Sequence, residues 1–445
     1  MVKRQDNPKE LELTSRPNGS PETIIAETIP GKPSPKKTGL SAYRHALTNI
    51  NYRKLWLGEA ISNIGNRIHF IALMTYVYTL TGRALDLGLL MIFMTLPNLL
   101  LGPLAGVLAD RMERRYLMVM SDIARFALVL LVPFTTNLWQ IYTISLLMGA
   151  ANSVFHPSEF SLLPSLVEKE ALVTVNSLQV TTMNVASIIG PAVGGLIVAR
   201  FGTTPAFLAN SSSFLFSALM IWLIRQPKKE PEARKETTVR QLWTEFREGF
   251  SYITHDFVFK YIIIFFGVLI LCTSGLNPLF IVLTQKVLGG GTREFGYLIS
   301  ILGVGGIIGG IIWGAVGNRF ERIATIVNLM FIDAIFIIFL GLNSNYYLAM
   351  TAFFFFGMVG TAFTINIMTF LQEYIPEDKR GRTFGVFAVM FDPLSMASMG
   401  IFASLADCVG VGWMFVGSGA LEFITAAFGR FLPAYQRVKG AGGRG

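Results

Sequence analysis

From residue 54 onward the chain is a succession of apolar stretches of about 20 residues, each long enough as a helix to cross about 30 Å of hydrocarbon. They predict twelve helices, over residues 55–80, 85–109, 116–135, 138–162, 176–199, 205–224, 261–284, 295–317, 323–342, 346–371, 384–406 and 411–430. Buried helices of a water-soluble protein would need long polar faces, which these stretches lack, whereas a helix in lipid satisfies its own backbone. The expected fold class is an all-α membrane protein built as two pseudo-symmetric six-helix bundles.

The pattern sets the domain boundaries. Residues 1–50 are rich in Lys, Glu, Pro, Ser and Thr and hold no apolar segment, predicting a disordered cytoplasmic tail and no cleaved signal. Residues 51–225 form the first bundle and 258–430 the second, with a second cytoplasmic tail over 431–445. The linker 226–257 between the bundles carries Val239, Leu242, Trp243, Phe246 and Phe250 at helical spacing, predicting a short helix in the interface plane.

Composition changes the picture at two points. With 52% hydrophobic and 15% charged residues, a water-facing surface is excluded. The net charge of +9 reports topology: with the amino terminus inside, 31 of the 37 Lys and Arg residues fall on the tails and inward loops. The others are Arg83, Arg200, Lys286 and Arg293 on the outward side, and Arg67 and Arg125 within helices. The positive-inside rule then places both termini in the cytoplasm of a multi-pass protein, and the basic charge needs no nucleic-acid partner. Cys272 and Cys408 lie in apolar stretches and give neither a disulfide framework nor metal-ligand spacing, so no metal is expected. No nucleotide-binding loop, zinc motif or nucleophile elbow is present, and neither an enzyme nor a cofactor is expected.

The two halves are related to one another. The loop GVLADRMERR at 106–115 aligns without gaps on GAVGNRFERI at 314–323, an offset of 208. Gly106 then meets Gly314, Arg111 meets Arg319 and Arg114 meets Arg322, while Asp110 meets Asn318, Asn184 meets Asp392 and Arg125 meets Asp333. Six helices per unit keep both copies in the same orientation, as in parallel repeats about a membrane-normal axis.

These residues resemble the major facilitator superfamily over residues 51–430. Its loop signature is matched by Gly106, Asp110, Arg111, Arg114 and Arg115, with Glu113 where many members carry glycine. The resemblance implies that these residues, with Arg319 and Arg322 of the second copy, act as a conformational latch between the lobes; an ordinary tight basic loop is the other reading. ASIIGPAVGG at 186–195 is similar to the helix-five signature of exporters, through Gly190, Pro191, Gly194 and Gly195, with Ala186 replacing the leading glycine. Small residues four apart also serve plain helix packing. FHPSEFSLLPSLV at 155–167 and SDIAR at 121–125 resemble the branch with macrolide efflux proteins and siderophore exporters. The fourth stretch lacks the arginine of many proton-coupled drug exporters.

Polar residues inside a bilayer are costly unless they face a cavity or a partner. Helix one carries Glu59, Asn63, Asn66 and Arg67 on one face, and helix four carries Asn152, His156 and Glu159. Helix seven carries Asn277, and helix ten Asn366 and Glu373. In the family these four helices line the substrate cavity. Glu59 is the first candidate for proton coupling, with Arg67 able to hold it ionised; a fixed Glu59 to Arg67 bridge that only shapes the bundle is the alternative. Glu159 and Asp392 follow, the latter beside Pro393 in mid-helix. Asp333 and Arg125 are assigned to packing within the lobes.

The expected function is proton-coupled efflux of small lipophilic compounds, drug-, macrolide- or siderophore-like, by a monomer in the cytoplasmic membrane. An importer or facilitator of a metabolite, or a non-transporting receptor or scaffold that keeps the fold, are the competing readings.

Overall fold

A computed structural model describes residues 40–225, Arg247, Ser251 and residues 257–431. The interfacial helix expected in the linker and the tails at 1–39 and 432–445 lie outside the described residues. Among those described there is no strand.

The first six membrane helices are α2 (Ile50–Thr81), α3 (Ala84–Arg111), α4 (Arg114–Leu131), α5 (Leu138–Leu166), α6 (Leu172–Phe201) and α7 (Thr203–Trp222), preceded by the short α1 (Leu40–Thr48). The second six are α8 (Phe257–Leu276) with its continuation α9 (Leu279–Val282), then α10 (Thr292–Val316), α11 (Arg322–Leu342), α12 (Tyr346–Tyr374), α13 (Glu377–Val409) and α14 (Val411–Phe431). Helix α1 occupies the end of the segment expected to be a disordered tail. It is ordered because Ala46 is buried and the Tyr43 hydroxyl lies 2.9 Å from Ser177 Oγ on α6.

The repeat is visible in the helix boundaries. Helices α3, α4, α5 and α7 begin at the positions that, shifted by 208, begin α10, α11, α12 and α14. Asn137 and Asn345 are equivalent and both cap: each side-chain oxygen accepts from backbone N–H groups of the following turn, which have no partner inside the helix. Gly202 and Gly410 are equivalent and both take positive φ, +80° and +95°, a conformation only glycine adopts cheaply at such a corner.

Among the described residues nine helices are long and apolar enough to span a membrane unaided, and the pair α8 and α9, bent by 49°, makes ten. Asn277 and Pro278 occupy the bend, where proline cannot continue the ladder. The two membrane helices below that threshold are α2 and α5, which carry Glu59 and Glu159.

Among the described residues the core shared by the two lobes lies at one end. A single apolar core joins Ile71, Leu87 and Phe207 of the first lobe to Phe280, Phe295 and Phe402 of the second, whereas two further cores are confined to one lobe each. The shared core lies toward the end that holds the Gly82, Gly202 and Gly410 turns. There α3 packs on α13 and α6 on α10. A Cβ on Gly88 would lie 2.6 Å from Met399 O, and one on Gly195 would lie 2.9 Å from Thr292 O. Ser300 Oγ donates to Ile188 O at 2.7 Å farther along the same seam. At the outermost point the Asp407 carboxylate on α13 accepts from Ala84 N and Leu85 N, at 2.8 and 3.0 Å, and so caps α3 across the lobe boundary.

Inside the second lobe, α10 and α12 touch through glycines. A Cβ on Gly309 would stand 2.5 Å from Met358 O. The change Gly309→Ala is therefore expected to force these helices apart, at a cost of about 1–3 kcal/mol, and to lower the thermal unfolding midpoint of the detergent-solubilised protein.

Candidate functional site

The polar face of α2 does not close on itself. Glu59 is buried and its Oε2 accepts from Gln179 Nε2 on α6 at 2.8 Å. The same amide nitrogen donates to Glu159 Oε1 on α5, so one glutamine holds two buried carboxyls from two other helices. Glu159 Oε2 lies 3.3 Å from His156 Nδ1, one turn earlier on α5. The histidine side chain is 53% exposed and the carboxyl 9%, so His156 is the member of the group open to the surroundings.

Behind this group α4 supplies a charged pair with no surface exposure to speak of. Arg125 donates to Asp122 Oδ1 at 2.5 Å and to Asn152 Oδ1 on α5 at 3.4 Å. Its guanidinium lies 4.3 Å from the ring centre of Phe155 and 4.6 Å from that of Phe214, two cation–π contacts in a dry setting. Glu59, Glu159 and Asp122 all lie within its Coulomb field. Three carboxyls thus surround one permanent cation, and the balance depends on the protons they carry. Glu59 Oε1 and Asp122 Oδ2 are buried without a hydrogen-bond partner, so two acceptor positions stand ready.

The site is held in the half of the first lobe away from the shared core. Glu59 and Gln179 lie early in α2 and α6, and Glu159 late in α5. This places the cluster at the end where the described cores are confined to one lobe each.

The structure brings together Glu59, Glu159, His156 and Asn152, and adds Gln179, which the sequence did not single out. Arg67 is not part of the group: no ion pair joins it to Glu59 among the described residues. It is exposed, and its stem packs at Gly190, where a Cβ would stand 3.2 Å from Arg67 Cγ. The fixed Glu59 to Arg67 bridge is therefore replaced by a contact of α2 with α6. Asn63 and Asn66 are half-buried on α2, and Asn277 is half-buried at the α8–α9 bend. Asn366 is fully buried and donates to Ala362 O of its own helix at 2.8 Å. Glu373 is two turns away at the end of α12, where it pairs with Arg322 at 3.2 Å. Asp392 is exposed on α13 of the other lobe.

The side chains of Asp110 and Arg111, and the surroundings of Gly106, are outside the described set. Arg114 donates to Ser161 O and Arg115 to Ile224 O, both at 2.7 Å, so the two arginines tie down the carboxyl-terminal ends of α5 and α7 within their own lobe. Arg319 is exposed. The glycines of the exporter-like segment work on both sides of α6: a Cβ on Gly194 would meet Ile68 Cα of α2 at 3.0 Å, and one on Gly195 would meet Gly296 Cα of α10 at 3.1 Å. Pro191 is buried in the same face.

The comparisons with known proteins agree with this architecture. An uncharacterized MFS-type transporter of Bacillus subtilis (strain 168), YfiS, is 26% identical over 383 residues, covering 82% of this chain and 89% of that protein. Macrolide efflux protein A of Streptococcus pyogenes is 22% identical over 380 residues, covering 84% and 93%. A crystal structure of a bacterial homologue of the iron transporter ferroportin in an inward-facing state matches with a TM-score of 0.71 at 14% identity, over 88% of this chain and 99% of that one. The family model described as Major Facilitator Superfamily matches residues 55–400. With twelve membrane helices in two repeated bundles and a polar cluster where the bundles part, the chain belongs to the major facilitator superfamily and is a transporter of small-molecule solutes.

Proposed function

We propose that this transporter exports small lipophilic compounds against their gradient by alternating access, driven by protons that bind at the Glu59, Gln179 and Glu159 cluster. The observation that carries the reading is the pair of buried carboxyls held by one amide, with His156 at their exposed edge. A proton reaching His156 passes to Glu159, and Glu59 offers a second oxygen on the far side of Gln179. In the low dielectric of a bundle, adding or removing one proton changes the balance around Arg125 by an amount large enough to bias the lobes. The efflux direction is supported by the name borne by the macrolide relative and by the small-residue face of α6, which lets α2 and α10 approach the same helix.

With both termini in the cytoplasm, as the distribution of basic residues predicts, the packed end is the outer one and the state described is open to the cytoplasm. Asp110 and Arg111 act as the latch of the opposite state, closing the cytoplasmic end. One chain carries both lobes and works as a monomer in the cell membrane.

The test is accumulation of macrolides and lipophilic dyes in cells lacking the gene and in cells overexpressing it, with and without an uncoupler. Export predicts higher accumulation on deletion and an overexpression effect abolished by the uncoupler. Lower accumulation on deletion identifies an importer and overturns the proposal.

A further inference from the structure

At the repeat offset of 208, Arg125 corresponds to Asp333, Phe214 to Glu422 and Asp122 to Met330. In the first lobe these positions hold a balanced group, because the guanidinium on α4 bonds Asp122 and covers Phe214 on α7. In the second lobe the equivalent helices α11 and α14 bring two carboxyls together instead. Asp333 is 4% exposed and Glu422 wholly buried, and the two interact electrostatically. Both oxygens of Glu422 and Oδ1 of Asp333 lack any hydrogen-bond partner.

Among the described residues no ion pair joins a cation to either carboxyl. On α8 the nearest titratable group is Cys272, itself buried, whose carbonyl accepts from Ser418 Oγ. Arg322 and Glu373 pair with each other at the ends of α11 and α12, and Arg430 at the end of α14 bonds Asn328. Lys286 lies over the Tyr78 ring of the other lobe, and Asp392 on α13 is exposed. Two carboxylates in this setting are short of one positive charge.

Asp333 also lines a cavity of about 410 Å³ between α8, α10, α11 and α12, walled by Phe356 and Phe363 and by the hydroxyls of Thr273 and Thr364. That volume admits water beside a carboxyl. We propose that Asp333 and Glu422 form a second proton-binding site, holding one shared proton that enters and leaves through this cavity. On binding, an O–H bond forms on one carboxylate, whose lost charge relieves its repulsion with the other; on release, the proton returns to cavity water. A metal ion fits less well, since among the described residues no group of three or more His, Cys, Asp or Glu converges, and a hard cation needs about six oxygen ligands. The site lies beyond the Glu59 cluster and does not depend on the direction of transport.

The experiment is infrared difference spectroscopy of the purified full chain in lipid, between acid and alkaline buffer, for wild type and the near-isosteric Asp333→Asn and Glu422→Gln. Each variant is expected to lose the same protonated-carboxyl band, because one proton serves both groups. Gly360 borders the cavity and has open space where a Cβ would stand, so Gly360→Leu is expected to fill it and to slow hydrogen–deuterium exchange of that band. Spectra unchanged in both carboxyl variants overturn the site, unchanged exchange in Gly360→Leu overturns the route, and loss of the band on adding sodium at constant pH assigns a metal ion instead. None of these readouts measures transport, so their failure leaves the reading of the Glu59 cluster standing.

Discussion

Asp407→Ala is expected to move the resting population away from the state in which the Gly82, Gly202 and Gly410 end is packed shut. The carboxylate satisfies two amides at the start of α3, which otherwise have no partner inside that helix. It also places a negative charge at the positive end of the helix dipole, an effect worth about 0.3–1 kcal/mol at an exposed position. Because Asp407 and α3 belong to different lobes, this stabilisation exists only while that end is closed, and the whole of it counts toward the equilibrium. Asp407→Asn keeps one acceptor oxygen and should give a smaller shift in the same direction. Gly195→Val should give a larger one, since its Cβ would fall 2.9 Å from the backbone oxygen of Thr292, which cannot rotate away. With Cys408 replaced by serine, spin labels at the exposed positions 180 on α6 and 311 on α10 report the distance at the opposite end. The short-distance population should rise in the order Asn, Ala, Val, and a distribution unchanged in both Asp407→Ala and Gly195→Val would remove Asp407 and Gly195 from the gate.

What the sequence made legible follows from how far along the chain each interaction reaches. A membrane helix is specified by its own 20 residues, so the stretches were readable one by one and the repeat could be found by sliding one half over the other. The partner of Glu59 was not readable in the same way. Helical periodicity places Arg67 on the same face of α2, yet the group that binds Glu59 is Gln179, 120 positions later on another helix. Which turn of α6 stands beside which turn of α2 is set by the close approach at Gly190 and Gly194, where the absent side chains fix the register. Asn366 and Glu373 illustrate the reverse case. They share a helix face by spacing, but seven residues are about 10 Å of rise, enough to put one in the dry interior and the other in an ion pair at the helix end. Asp407 carries a signal in the sequence: at the repeat offset it faces Ala199, another place where one half carries a charge and the other does not.

Glu59→Gln is expected to uncouple transport from the proton gradient without preventing the lobes from exchanging. Glutamine keeps the size of the side chain and can still accept from Gln179 through its carbonyl oxygen, so the contact between α2 and α6 survives. It carries no titratable proton, so the charge around Arg125 no longer changes when that position is loaded or emptied. A pH difference of one unit is worth 1.36 kcal/mol and sustains about a tenfold solute gradient for each coupled proton. In proteoliposomes with an imposed pH gradient, wild type should build such a gradient of a macrolide probe, whereas Glu59→Gln should only equilibrate it, with exchange of labelled for unlabelled probe retained. Gln179→Leu separates positioning from protonation: it leaves both carboxyls titratable but removes the amide that holds them, and should weaken coupling less completely than Glu59→Gln. If Glu59→Gln accumulates the probe as wild type does, the proton site is not Glu59, and the cluster reduces to a structural tie among α2, α5 and α6.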